Sequence, residues 1–303
     1  MEREKFISYI RYEKRYSSHT VTAYSNDLSQ FYSFLQNQYG IDDIRSVTSS
    51  IIRSWQVSLM ENKISARSIN RKLTTLKSFY KFLLKEKVVN ENPMRKIISP
   101  KVSKKLPVFV EVEKMNRLLD SEDFGNTFPA FRDRMILETL YATGIRLSEI
   151  VGLTEQDIDF NNSCIKVLGK RNKERLIPFT FKFGALLKEY LKQKQEFITS
   201  PEHISAGSNF SDNHLFITDK GNKVYPKFVY RVVTGYLGSV TTLKKRSPHV
   251  LRHTFATQLL NEGAELNAVK ELLGHANLSA TQVYTHNTIE KLKKIYKQAH
   301  PKA

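Results

Sequence analysis

The helical period that organises the first hundred residues stops between residues 98 and 108, and a different kind of chain follows. The stretch Ile98-Ser99-Pro100-Lys101-Val102-Ser103-Lys104-Lys105-Leu106-Pro107-Val108 holds two prolines, five polar or basic positions and no apolar repeat at three and four. Proline removes a backbone donor and clashes with the preceding turn, so no single helix crosses it. A length of 303 residues suits two domains, each large enough for its own core. The expected division is a helical domain over 1–98, a linker over 99–108 and a second domain over 109–303.

Before the break the chain reads as helices with short connections. Ser17 and Ser18 can cap a helix carrying Val21, Tyr24, Leu28, Phe31 and Leu35 on one face and ending before Gly40. A helix over 51–60 aligns Ile52, Trp55 and Leu59, and one over 65–87 buries Ile69, Leu73, Leu76, Tyr80 and Leu83. The polar side of the latter offers Arg67, Asn70, Arg71, Thr74 and Lys77, a face that can lie in a major groove or simply be solvated. After the break the pattern is mixed. Helical periods cover 111–120, 130–143, 147–153, 180–197, 226–239, 248–263, 266–274 and 279–284, with a last amphipathic stretch over 288–298. Between them 163–169 alternates as a strand, Lys170-Arg171-Asn172-Lys173 is turn-like and 174–178 returns as a second strand. The polar stretch from Thr199 to Asn213 reads as a surface loop. The fold class expected is mainly α with a small β-hairpin in the second domain.

Charge narrows the partners. Lysine and arginine number 48 against 30 acidic residues, a formal net charge of +18. The first hundred residues hold 17 basic and 9 acidic side chains, so the excess lies in both halves. An extended polyanion, nucleic acid first, is the partner such a chain suits, and Lys101, Lys104 and Lys105 of the linker could follow a phosphate backbone. Charge alone also admits a merely soluble basic chain. The single cysteine, Cys164, excludes an internal disulfide and a multi-cysteine zinc site. The N-terminus has no apolar core of a signal peptide, and no apolar run approaches the roughly 20 residues that span a bilayer. The expectation is a cytoplasmic protein without a membrane partner.

Four segments carry chemistry: Ala142-Thr143-Gly144-Ile145-Arg146-Leu147-Ser148-Glu149-Ile150, the turn at Gly169-Lys170, Pro248-His249-Val250-Leu251-Arg252-His253-Thr254-Phe255, and Leu273-Gly274-His275-Ala276-Asn277-Leu278-Ser279 leading to Tyr284. They supply two arginines able to clamp phosphate oxygens with planar forks, a lysine, histidines and a tyrosine. His249 and Arg252, three apart, share a face on one helix. A tyrosine hydroxyl can act as nucleophile, but its ordinary pKa near ~10 demands a base or nearby cations. No carboxylate cluster suits a two-metal nuclease, and no metal or other cofactor is expected. Taken singly, Arg146 or Lys170 would be surface charges, His275 a packing residue and Tyr284 half-buried core. His253, beside Arg252, is left as structural.

In this order the segments resemble the tyrosine recombinase (phage integrase) family, and its bacterial Xer branch over essentially the whole chain. Arg, Lys, His-x-x-Arg, His, Tyr stand here as Arg146, Lys170, His249-Val250-Leu251-Arg252, His275 and Tyr284, within Thr-Gly-Ile-Arg-Leu-Ser-Glu, Leu-Arg-His-Thr-Phe-Ala-Thr and Leu-Leu-Gly-His-Ala. The resemblance implies a site-specific recombinase in which Tyr284 attacks the scissile phosphate to leave a 3′-phosphotyrosyl link. Arg146, Arg252 and His275 would hold the phosphoryl charge, His249 would be the base toward the tyrosine, and Lys170 would protonate the leaving 5′-oxygen. Glu149 would have an accessory, orienting role. Where the Xer pattern has a second glycine after the lysine, this chain has Arg171, which restricts the turn and leaves Lys173 as an alternative to Lys170.

The resemblance further implies a core-binding domain over 1–98 and a catalytic domain over 109–303, closing on double-stranded DNA as a C-shaped clamp. The C-terminal helix, with Ile289, Leu292, Ile295 and Tyr296, would pack into a neighbouring protomer. The expected assembly is a homo- or hetero-tetramer with a related recombinase, passing through a Holliday junction, with a DNA translocase of the FtsK type as a further partner. The role expected first is resolution of chromosome or plasmid dimers at cell division, by a nucleoid-associated bacterial protein. It is favoured because the chain starts almost at the core-binding helices, without room for an arm-binding domain. The alternatives are an integrase or resolvase of a mobile element with the same chemistry, and a catalytically idle DNA-binding protein.

Overall fold

A computed structural model describes residues 2–102, 108–121, 124–169, 173–201, 213–243 and 245–274. The chain divides into two compact units, Met1–Lys105 and Leu106–Ala303.

The first unit is helical: α1 (Glu2–Ser8), α2 (Ser18–Tyr39), α3 (Ser49–Glu61) and α4 (Ala66–Lys85). Local chemistry sets their ends. The side chains of Ser17, Thr48 and Ser65 accept from backbone N–H groups of the first turns, and Gly40 ends α2 in the left-handed conformation. The expected apolar stripes face one core. Phe31 meets Trp55 at 4.8 Å between ring centroids, and Phe6 meets Phe79 and Phe82 at 5.2 and 5.5 Å. Truncating a buried aromatic such as Trp55 to alanine costs about 3–5 kcal/mol. A single turn of π-helix, Tyr9–Glu13, follows α1 and has no counterpart in the sequence reading.

Polar groups tie α2 to α4. The buried Asp27 carboxylate accepts from Arg71, from Lys72 Nζ at 3.1 Å and from Thr75 Oγ1 at 2.9 Å. The stretch read as linker begins docked on this unit: Gln56 Nε2 donates to Ile98 O at 3.2 Å and Asn70 Nδ2 to Pro100 O at 2.9 Å.

The second unit combines α5 (Val112–Asp120), α6 (Phe128–Thr143), α7 (Leu147–Gly152), α8 (Phe181–Ile198), α9 (Pro226–Val240), α10 (Pro248–Asn261) and α11 (Leu266–Leu273) with a small sheet. α6 is the central helix, buried on every side from Met135 to Thr143 and packed by α8 and α10. The sheet has three antiparallel strands in the order β1 (Ile158–Asp159), β2 (Cys164–Leu168), β3 (Glu174–Pro178). β2 and β3 are the expected hairpin. β1 was not expected, because two residues are too few to carry an alternating pattern. Pairing sets Ile165 opposite Ile177 and Val167 opposite Arg175. The helices expected over 279–284 and 288–298, and most of the loop expected over 199–213, lie outside the described residues.

Among the described residues, no helix is long and apolar enough to cross a membrane.

Candidate active site

The site begins where α6 ends. Gly144 is left-handed at φ 59°, and a Cβ there would sit 2.4 Å from Phe255 Cδ1, so glycine alone allows the turn against α10. Two residues on, Arg146 is the N-cap of α7. Its backbone N–H donates to Glu149 Oε2 at 2.7 Å and its Nη1 to Glu149 Oε1 at 2.7 Å. Glu149 thus supplies the returning half of a capping box, and the guanidinium, which cannot accept from the first turn, donates to the same carboxylate instead.

The same carboxylate meets a second arginine. Arg175 donates from Nη1 to Oε1 at 2.9 Å and from Nη2 to Oε2 at 2.7 Å, a bidentate fork buried from solvent. Burial by itself pushes the Glu149 carboxyl up; the hydrogen bonds and charge of Arg175, then the Arg146 backbone and side chain, outweigh it and hold the pKa at about 2.

Three arginines converge on the end of α11. Arg175 Nε donates to Leu272 O at 2.8 Å, Arg252 Nη2 to Leu273 O at 2.5 Å and Arg146 Nη2 to Gly274 O at 2.8 Å. Arg252 Nη1 also donates to Gly144 O at 2.5 Å. The last carbonyls of a helix lack intrahelical partners and carry the negative end of its dipole, so they suit guanidinium groups. Burial, then the charges of Arg146 and Arg175, lower the Arg252 pKa to about 10, still far above neutrality. Three guanidinium groups against one carboxylate leave a positive excess where the forks meet, and an anion with several oxygens answers it.

His249 stands exposed one turn before Arg252 on α10. Burial, then the charges of His253, Lys245, Arg252 and Arg146, lower its pKa, so the imidazole is neutral at pH 7 and can accept a proton. His253 is exposed as well. Among the described residues, no three His, Cys, Asp or Glu side chains stand together to hold a metal ion.

The structure thus brings Arg146, Glu149 and Arg252 together, with His249 on the same helix as Arg252. Lys173 is exposed just before β3, its carbonyl accepting from Gly169 N at 2.8 Å. Lys170, Arg171, His275 and Tyr284 lie outside the described residues, as do Lys104 and Lys105. On α4, Arg67 and Lys77 are exposed, Arg71 is paired with Asp27, Asn70 is engaged with Pro100 and Thr74 donates to Asn70 O at 2.8 Å; Lys101 is exposed. Arg175 was missed by the sequence reading. Its signal was parity: it shares a strand face with the buried Ile177, where an arginine is out of place.

Residues 109–291 match the phage integrase family, and residues 4–87 match the phage integrase N-terminal SAM-like domain. The chain belongs to the phage integrase family, the tyrosine recombinases. Tyrosine recombinase XerC of Chlorobaculum parvum is 37% identical over 320 residues, covering 99% of this chain and 94% of that protein. Tyrosine recombinase XerC of Anoxybacillus flavithermus is 39% identical over 298 residues, covering 98% and 97%. Two solved structures share the fold. XerH site-specific recombinase bound to palindromic difH substrate is 21% identical with a TM-score of 0.69, over 93% of this chain and 76% of that one. The Tn1549 transposon integrase in complex with transposon right end DNA is 20% identical with a TM-score of 0.69, over 97% and 98%. The protein is accordingly a tyrosine-type site-specific DNA recombinase of the Xer type.

Proposed function

We propose that this recombinase cuts and rejoins DNA through Tyr284 and resolves chromosome or plasmid dimers at cell division. The observation that carries the reading is the convergence of Arg146 and Arg252 on the carbonyl end of α11, the helix that leads in sequence to His275. The Tyr284 oxygen attacks the scissile phosphorus while His249 takes its proton. The bond from phosphorus to the 5′-oxygen breaks, and Lys170 protonates that oxygen. Arg146, Arg252 and His275 hold the charge on the non-bridging oxygens. One phosphoester replaces another, so a second 5′-hydroxyl can reverse the step on a partner strand, and two such exchanges pass through a Holliday junction.

Residues 1–98 form the core-binding domain in this reading and 109–303 the catalytic domain, joined by 99–108. Arg67, Asn70, Arg71, Thr74, Lys77, Lys101, Lys104, Lys105, Arg171 and Lys173 contact the DNA. The unit of reaction is a tetramer of this chain, alone or with a related recombinase, and a DNA translocase activates it. Relatives named XerC that match nearly end to end support the Xer role over that of a mobile-element integrase.

A nicked suicide duplex carrying a chromosomal site that the protein binds tests the chemistry, with wild type and Tyr284→Phe incubated without divalent metal. A covalent protein–DNA adduct on a denaturing gel from wild type alone is the expected result. No adduct from wild type on DNA it demonstrably binds, or an adduct from Tyr284→Phe, overturns the assignment.

A further inference from the structure

Arg175 has no part in the scheme above, yet its side chain makes three of the site's internal hydrogen bonds, against two from the side chain of either arginine placed on the phosphate. We infer that Arg175 is a positioning residue of this recombinase, locking from β3 both the Glu149 carboxylate that aims Arg146 and the end of α11 that leads to His275. The inference rests on the proposed strand cleavage by Tyr284.

Its side chain spends three nitrogens on two elements far apart in sequence: Nη1 and Nη2 on Glu149, and Nε on Leu272 O. Glu149 in turn holds Arg146 by backbone and side chain. Two glycines leave the space this requires. A Cβ on Gly274 would lie 3.2 Å from Arg175 Cδ, and one on Gly169 would lie 3.3 Å from Arg175 Nη1. Gly169 N donates to Lys173 O at 2.8 Å, and β3 starts at the next residue. One guanidinium therefore ties the mount of Arg146 to the carbonyl end of α11, and it lies close beside Gly169.

A purely stabilising ion pair makes a different forecast. Replacing both partners of a buried pair by neutral groups is often harmless to stability, whereas removing one partner strands a charge. The groups facing Glu149 are Arg175 from β3, Arg146 from the start of α7 and, through its charge, Arg252 from α10. Without Arg175 the burial that pushes the carboxyl up is less opposed. Glu149 then takes up a proton at a higher pH than in wild type and releases Arg146.

The test compares full-length wild type, Arg175→Lys, Arg175→Met and the double variant Glu149→Gln/Arg175→Met on the suicide duplex, reading DNA affinity, adduct-formation rate against pH, and thermal stability. Arg175→Lys keeps the charge but not the fork. It is expected to bind DNA as wild type does and to cleave about a hundredfold more slowly, the cost of a small misplacement at a reacting centre. Arg175→Met is expected to lose further rate as pH falls, an acid limb that the double variant lacks. The double variant is expected to regain stability over Arg175→Met without regaining rate. Wild-type cleavage by Arg175→Lys, or recovery of rate together with stability in the double variant, overturns the inference alone. Failure of wild type to form an adduct overturns strand cleavage and the inference with it.

Discussion

Asp27 in the first unit and Glu149 in the second are both buried carboxylates that accept from two cationic side chains, one buried and one partly exposed. Around Asp27 the further partners are neutral side chains: Thr75 donates to the carboxylate and Gln30 accepts from Lys72. Around Glu149 they are the carbonyls that end α11, and a third arginine, Arg252, joins through those carbonyls rather than through the carboxylate. Neutral acceptors hold a cation without cancelling its charge. The first arrangement closes on itself and fastens α2 to α4. The second sets three cations against one carboxylate where the first sets two, and it holds that larger excess still, as recognition of a phosphate requires.

Removing either carboxylate has the largest expected effect. Asp27→Ala and Glu149→Ala each leave buried cations unpaired and should cost about 3–5 kcal/mol in urea unfolding. Only Glu149→Ala should also slow adduct formation at saturating DNA. Equal cleavage losses in the two variants would erase the distinction between them. Arg252→Lys comes next: it keeps the charge and loses the carbonyl fork, and should lower the cleavage rate about 10²–10³-fold. Lys72→Met should leave that rate unchanged when DNA is saturating.

Acid unfolding sharpens the comparison further. The Glu149 carboxyl sits at about 2 in the folded protein against an ordinary 4.5, so the folded state binds fewer protons between those values. Its contribution, about 3 kcal/mol, is therefore complete above pH 4.5 and disappears as the pH falls toward 2. Glu149→Gln should flatten stability in that window, measured by denaturant melts across pH. The smallest effects belong to the exposed face of α4. Arg67→Ala and Lys77→Ala should each lower the salt slope of DNA binding by about 1 and leave cleavage at saturation intact.

Much of this was legible because it is local. An apolar repeat at three and four and a serine or threonine before it are facts about a few neighbouring residues, and α2, α3, α4, α6 and α8 follow from them, with a glycine closing α2 and α6. The order of arginine, lysine, histidine and tyrosine was legible too, since linear text carries it. β1 was not, because two residues hold no period; nor were the carbonyls that Arg146 and Arg252 hold, which lie far along the chain. Arg175 marks the division most sharply. Sequence alone put it in a strand and on the parity of Ile177. Only the packing of β3 between α7 and the end of α11 decided that this inward arginine would find a carboxylate 26 residues before it and a helix carbonyl 97 after it. A buried charge is tolerable only where distant groups meet it, and which distant groups meet is settled by the closure of the whole chain.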